Sequence, residues 1–324
     1  MTVSNVQAEA CTPADVRATS SRRVWMSLLK WALFIVLIVF VGRALWRQIA
    51  KLDWSTIHFH PMPLLGAAIA LTIVYAARTI SFRILLAGYD VQLSWRDAAV
   101  VGWIPQIGKY IPGQVASLAG AVALLRRFKT PGPIALAVVL VMDGLAVLTG
   151  LIAGSPLLLW DPVRRLLPTG WLWCGLLVMA GIICLHPRVY GRLLNFALRK
   201  FSRAPLTRLP PWHNYIGPVL LGFAQWILAG IALWLIARSI TFVEVKHIPL
   251  FIAIAALAYT ASYLTPFAPA GLGIREAIFQ ITLVQIISTP AAVAVITMRV
   301  VQTLVEIVMA LAGWALLSKR SDAP

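Results

Sequence analysis

The sequence predicts an all-α polytopic membrane protein, with about six full spans plus two re-entrant helical hairpins in an inverted-topology repeat. Three observations lead there. First, 60% of the 324 residues are hydrophobic and 12% are charged, and the apolar residues fall in long blocks. A soluble domain carries about 25% charged residues and about 45–50% apolar ones. Second, two apolar stretches are broken by proline, glycine and charge, around Lys109 to Gly113 and around Pro266 to Glu276. Backbone that leaves the helix at membrane depth is tolerated only where it is buried in protein or lines a cavity. Third, the two broken stretches hold corresponding places in the two halves of the chain.

Residues 1–23 are polar and are predicted to form a disordered cytoplasmic tail, followed by a single integral membrane domain over 24–317 and a short cytoplasmic tail over 318–324. The first span runs from about Val24 to Trp46. It follows Arg22, Arg23 and Lys30 but has no small-x-small cleavage site after it, so it reads as an uncleaved span rather than a signal peptide. Pro61 opens a second span over about 62–82, with Arg78 and Arg83 near its end. Both arginines are read as snorkelling to the interface. Asp97 to Gly108 and Gly113 to Leu125 are two short apolar pieces joined by Lys109-Tyr-Ile-Pro112. At 1.5 Å per residue each piece reaches about 20 Å, short of the roughly 30 Å hydrocarbon core. Pro112 lacks a backbone donor and disfavours helix at Ile111, so a hairpin of two half-helices fits better than one kinked span.

A span at about 133–156 carries Asp143 near its middle, and another covers Gly170 to Leu185. Between 187 and 213, Tyr190, Leu193, Leu194, Ala197, Leu198 and Phe201 recur at helical spacing among Arg188, Arg192, Arg199, Lys200 and Arg203. This reads as an amphipathic cytoplasmic segment on an anionic leaflet. A span at about 215–237 follows. Ile248 to Leu264 and Gly271 to Ile287 then flank the second break as pieces of about 25 Å each. The last span, about 290–317, holds Arg299, Gln302 and Glu306. With both termini cytoplasmic, sixteen Lys and Arg lie inside and seven outside, which satisfies the positive-inside rule. A full crossing by Ile248 to Thr265 would move the C-terminus outside and weaken that count.

The repeat halves cover about 61–156 and 215–317. Pro112 and Pro269 are 157 residues apart, and Asp143 and Arg299 are 156 apart, each preceded by Met. Paired broken helices in inverted repeats point to a transporter's midplane site. Helix N-termini starting near Gly113 and near Gly271 and Gly273 would offer N–H groups to phosphate or carboxylate. Lys109, Tyr110 and Arg275 would add side chains for the same anionic head group. Asp143, Glu276, Arg299 and Glu306 would serve gating or charge pairing. A charge at a helix centre costs about 2.5–3.5 kcal/mol on insertion scales, so unpaired copies are not expected to persist. The alternative is that these charges form ion pairs that only hold the bundle together.

Composition also excludes classes. The formal charge of +17 comes from 28 Lys and Arg that lie mostly between apolar blocks, which reads as topology signal and contact with anionic lipid rather than nucleic acid. The three cysteines form no CxxC or Cys/His cluster, and the sequence implies no metal and no cofactor. No nucleophile triad or phosphate loop occurs, so an enzyme is the weakest reading.

The phrases Gly108-Lys-Tyr-Ile-Pro-Gly113 and Pro269-Ala-Gly-Leu-Gly-Ile-Arg-Glu-Ala277 resemble the flippase-like family formed by the transmembrane region of lysylphosphatidylglycerol synthases and its stand-alone relatives. The resemblance runs from about residue 25 to 317. It implies a non-enzymatic lipid transporter of the cell (cytoplasmic or inner) membrane, moving an anionic phospholipid or a lipid-linked envelope precursor. Its partners would be membrane lipids and enzymes of envelope-lipid or glycan biosynthesis. Asp143, Arg275, Glu276 and Arg299 match the family pattern. This chain departs from it at Gln114, Ser117, Gly120 and Ala121, where the family often has Glu and Arg, and at Val139 and Leu140, where it often has a Glu-Arg pair. The soluble aminoacyl-transfer domain is absent from this sequence, so lysyl transfer is not expected. A small-anion secondary transporter and a non-transporting subunit of an envelope-lipid pathway remain alternatives.

Overall fold

The computed structural model describes residues 59–111, 115–200, 210–265, 271, 273–288 and 290–321. The expected first span, the N-terminal tail, Gly113, Pro266 to Ala270 and residues 322–324 lie outside the described residues, while 318–321 of the expected C-terminal tail continue the last helix. Among the described residues the chain is helical, without strands. The α-helices in order are α1 (Pro61–Ala87), α2 (Trp95–Trp103), α3 (Val115–Arg127), α4 (Gly132–Gly154), α5 (Asp161–Leu166), α6 (Gly170–Leu185), α7 (Pro187–Lys200), α8 (His213–Ile240), α9 (Ile248–Tyr263), α10 (Ile274–Ile287) and α11 (Ala291–Ser321).

Local chemistry sets the ends of these helices. Prolines stand in the first turns of α1, α4 and α9, where no intrahelical donor is lost and φ is already helical. Ser94 caps α2 by accepting the Asp97 N–H at 3.0 Å, and Asp97 itself suits the positive end of the helix dipole. After α2 the chain tightens into a 3₁₀ helix over Ile104–Tyr110. Pro105 accounts for the change, because it cannot donate to the carbonyl four residues back.

Among the described residues, five stretches are long and apolar enough to cross a membrane: Pro61–Ala87, Gly132–Leu159, His213–Ile240, Val245–Tyr263 and Ala291–Ser318. The chain is thus a multi-pass membrane protein. Two details differ from the sequence reading. Val245–Tyr263 has 19 residues and is long enough to span alone, because a 3₁₀ turn at Val245–His247 extends α9 upstream. α6 has 16 residues, about 24 Å of helix, and the chain then bends by 83° into Arg188–Phe196. That bend lays α7 against the bundle. Tyr190 and Leu194 are buried, and the Tyr190 hydroxyl donates to the Val141 carbonyl at 3.1 Å. The amphipathic segment therefore docks part of its apolar face on α4 rather than presenting all of it to lipid, while Phe196 stays exposed.

α1 and α8 run antiparallel along each other. The His60 N–H donates to the Ser239 carbonyl at one end, and Asn214 Nδ2 donates to the Ile84 carbonyl at the other. These are the opening helices of the two sequence halves, and opposite directions are what an inverted repeat requires. The cross-packing is reciprocal as well. α9 lies antiparallel to α4, with Leu257 against Gly154 and Thr260 against Gly150. α2 and its 3₁₀ extension lie antiparallel to α11, with Arg96 donating to the Leu316 carbonyl and Ile104 against Gly313. Each half's interrupted segment is held by the other half's closing helix.

Two buried apolar clusters result. One gathers the start of α1, the end of α8, and α9 to α11 around Phe251, Phe279 and Leu233. The other gathers the end of α1 and the start of α8 with α2, α3, α4 and α7 around Phe82 and Leu125. Both interrupted segments fold back on themselves. In the first, Gly108 meets the backbone of Ser117, and Pro105 meets Gly120. A Cβ added to Gly108 would lie 2.7 Å from the Ser117 nitrogen, with no flexible side chain to yield. Gly108→Ala is therefore expected to force the two limbs apart and cost about 1–3 kcal/mol. Thermal unfolding in detergent measures this, and an unchanged midpoint would contradict the close approach.

Candidate functional site

A cavity of about 330 Å³ lies among α1, the Ile104–Tyr110 segment, α3, α4, α8, α9, α10 and α11. That is the lower end of the usual range for ligand pockets, about 300–1,000 Å³. Its wall is largely apolar, with Leu71, Val74, Leu118, Met142 and Trp226 among the lining residues. Arg78, Lys109, Asp143, Arg275 and Gln302 bring charge and hydrogen-bonding groups to it. Cations from both interrupted segments thus reach one apolar space.

Each charge is held by a specific partner. Glu306 is buried and accepts hydrogen bonds from four donors: Tyr75, Lys109, Tyr110 at 2.8 Å and Gln302 at 2.7 Å. Tyr110 also lies 3.0 Å from the Thr303 hydroxyl. Gln302 continues the chain, since its Oε1 accepts from Tyr259 at 2.6 Å and from Arg275 Nη1 at 2.9 Å. Arg275 pairs through Nη2 with Glu276 at 3.2 Å, and Arg299 pairs with the same Glu276 oxygen at 3.1 Å. The guanidinium of Arg275 lies 4.8 Å from the Tyr259 ring centre, and that of Arg299 lies 5.6 Å from the Tyr110 ring centre. Such cation–π contacts add attraction in a desolvated setting. One connected network therefore runs from Arg299 to Lys109 and ties the two interrupted segments together through α11.

The glycines shape the second break. Gly271 has φ +71° and Gly273 has φ +91°, the left-handed region that a side chain disfavours. Gly271 lines the cavity and lies against Ser262. Gly273 precedes α10, and its N–H donates to Glu276 Oε2 at 2.8 Å. This is the return arm of a capping box. α10 begins at Ile274 rather than near Gly271, because the two left-handed glycines delay its entry. The Gly273 N–H that the sequence reading offered to an anion is thus taken by Glu276, and attraction for an anion falls to the side chains.

Of the residues singled out from sequence, Lys109, Asp143, Gly271 and Arg275 line the cavity. Tyr110, Glu276, Arg299 and Glu306 belong to the network behind them. Gly113 lies outside the described residues. Asp143 and Arg299, matched by position in the repeat, take separate partners: Asp143 pairs with Arg78 at 3.1 Å, and Arg299 with Glu276.

Arg78 corrects the sequence reading. It does not snorkel to the interface but turns inward to Asp143 and lines the cavity, with 13% of its side chain exposed. The half-buried carboxylate of Asp143 within reach outweighs the route to the interface. Arg83 behaves differently, donating to the Leu93 carbonyl and lying 3.8 Å from the Trp95 ring centre. Tyr75, Tyr259 and Gln302 were not predicted as site residues. Their signal was helical spacing: Tyr75 and Arg78 are three apart on one face, as are Arg299, Gln302 and Glu306 at steps of three and four.

Among the described residues, no group of three His, Cys, Asp or Glu side chains comes together in a way that could hold a metal ion. Cys174 and Cys184 are both free thiols.

A comparison with curated proteins gives no match. The model of a known family, described as the lysylphosphatidylglycerol synthase TM region, matches residues 27–313. That match includes every element of the cavity and its charge network, and the chain belongs to the family of the lysylphosphatidylglycerol synthase transmembrane region.

Proposed function

We propose that this protein is a lipid flippase-like transporter that moves an anionic phospholipid or a lipid-linked envelope precursor across the cell membrane, with both termini cytoplasmic and the two interrupted segments re-entrant. One observation carries the reading: cations from both interrupted segments, Lys109 and Arg275, line one apolar-walled cavity together with Arg78. The phosphate of a head group binds among these cations, where low polarity strengthens each charge–charge contact. The acyl or prenyl chains stay in the bilayer. The reciprocal antiparallel packing of the two halves supports alternating exposure of the cavity to each leaflet, the motion that paired inverted repeats serve. The ion pairs around Glu276 and Glu306 are the contacts that break and re-form. The chain acts without aminoacyl transfer, beside envelope-lipid or glycan biosynthesis enzymes that supply or use the lipid.

The test is flipping of a fluorescent anionic lipid in proteoliposomes. Wild-type protein is expected to move the lipid above the protein-free rate, and Lys109→Gln to lower that rate by about tenfold or more, the loss of one charge-assisted contact of roughly 1.5–3 kcal/mol. Wild-type flipping by Lys109→Gln would remove it from the site. Transport of a water-soluble anion without lipid movement would favour a small-anion secondary transporter instead.

A further inference from the structure

The cations that line the cavity are held in unequal ways. Arg275 uses Nη1 on Gln302 and Nη2 on Glu276, and 4% of its side chain is exposed. Lys109 meets Glu306, a buried carboxylate that also takes Tyr75, Tyr110 and Gln302. Arg78 is held more loosely. Its Nη2 donates to Asp143 Oδ1 at 3.1 Å, while its Nε is buried without a hydrogen-bond partner. The pair therefore lacks the side-on fork of Nε and Nη2 that a guanidinium forms with a well-placed carboxylate or phosphate. A buried donor left unmade is costly, and the pair as it stands carries that cost. Tyr263 also interacts with this guanidinium, but a neutral hydroxyl supplies no counter-charge.

Asp143 shows the complementary looseness. Its side chain is 31% exposed, against 7% for Glu276 and 0% for Glu306, and it lines the cavity beside Arg78. A carboxylate that leaves part of its partner unsatisfied, and that faces a cavity, is readily displaced by a better-fitting anion. A phosphate ester is such an anion, because its oxygens can take Nε and Nη2 together. The exchange replaces one counter-charge by another, so the half-buried guanidinium is never left uncompensated.

We propose that Arg78 receives the phosphate ester of the cargo, and that Asp143 is its exchangeable counter-ion, released from Arg78 as the phosphate binds. That the cargo is a lipid rests on the reading given above; the exchange itself asks only for a phosphate ester.

The sign of one substitution tests the exchange. Asp143→Asn removes the competing anion, so it is expected to bind a phosphate ester about tenfold tighter than wild type. Loss of a merely structural ion pair would leave binding unchanged or weaken it. The probe is dihexanoyl phosphatidylmethanol, added to the purified full-length protein in a neutral detergent. Binding is followed through tryptophan fluorescence, since Trp226 lines the cavity. A charge-balanced double variant, Arg78→Gln with Asp143→Asn, leaves neither charge unpaired and is expected to bind about tenfold weaker than wild type. Binding by the double variant at or above the wild-type level overturns the role of Arg78. Unchanged or weaker binding by a folded Asp143→Asn protein overturns the exchange. Dimethyl phosphate carries the same diester charge without acyl chains. If it binds as tightly as the lipid and follows the same pattern across the variants, the exchange stands while the lipid reading fails. If the lipid binds and neither variant changes its affinity, the exchange fails while the lipid reading stands. If neither probe binds, both fall.

Discussion

Glu306→Ala is expected to cost about 3–5 kcal/mol of stability, because it leaves a half-buried ammonium without its counter-charge. Glu306 is fully buried as a side chain, and Lys109 is 21% exposed. The carboxylate also receives Tyr75, Tyr110 and Gln302, so truncation takes an acceptor from three further polar groups. The measurement is thermal unfolding in detergent, where the midpoint should fall by several degrees. A companion substitution shows which part of the loss is electrostatic. Adding Lys109→Met to Glu306→Ala removes the unpaired charge and should recover a large share of the stability, a non-additive result characteristic of contacting residues. Glu306→Gln keeps the shape and an acceptor oxygen, so its loss should be smaller than that of the alanine variant. If alanine and glutamine behave alike and Lys109→Met rescues neither, the pair does not carry the stability assigned to it.

Arg275→Lys should lower lipid flipping by about tenfold or more even though it preserves charge. The guanidinium makes contacts in two directions, through Nη1 to Gln302 and through Nη2 to Glu276, while its face lies over Tyr259. A lysine ammonium is a compact point charge that cannot keep this planar fork and ring contact together. Losing a single hydrogen bond to a charged group is worth roughly 1.5–3 kcal/mol, and about 1.4 kcal/mol is tenfold in rate. The rate is read in the same proteoliposomes, normalised to reconstituted protein. Wild-type flipping by Arg275→Lys would reduce this residue to a plain positive charge and remove the geometric role proposed for it.

Much of this site was legible before any coordinates. Charge, proline and glycine stand out in an apolar chain, so Lys109, Arg275, Glu276, Arg299 and Glu306 draw attention by composition alone. Their pairing was less legible, because a carboxylate on one helix can reach cations on several others. Arg78 shows the difficulty. An arginine near a span's end has a local explanation in the interface, and only the position of α4 beside α1 puts Asp143 within 3.1 Å. Tyr75, Tyr259 and Gln302 are ordinary residues for a membrane helix. They become part of the network through faces that only packing brings together. The limits of the helices were similarly local in some places and not in others. Pro105 tightens the end of α2 by its missing N–H, a cause present in the sequence, whereas the docking of α7 depends on where α4 and Tyr215 stand. The Tyr190 and Tyr215 rings meet edge to face there, with centres 5.9 Å apart.

By itself the sequence determined that the chain is an all-α membrane protein, that two of its apolar stretches are interrupted, and that the interruptions carry charge. Those properties follow from hydrophobicity and from the backbone chemistry of proline and glycine, which act within a few residues. Only the tertiary structure decided that Lys109 and Arg275 share a cavity, that Gln302 and Glu306 on α11 link them, and that Arg78 turns inward to Asp143. The reason is the dominance of buried electrostatics over local preference. At membrane depth a charge takes whichever counter-charge the packing places within reach, and the sequence does not state that distance.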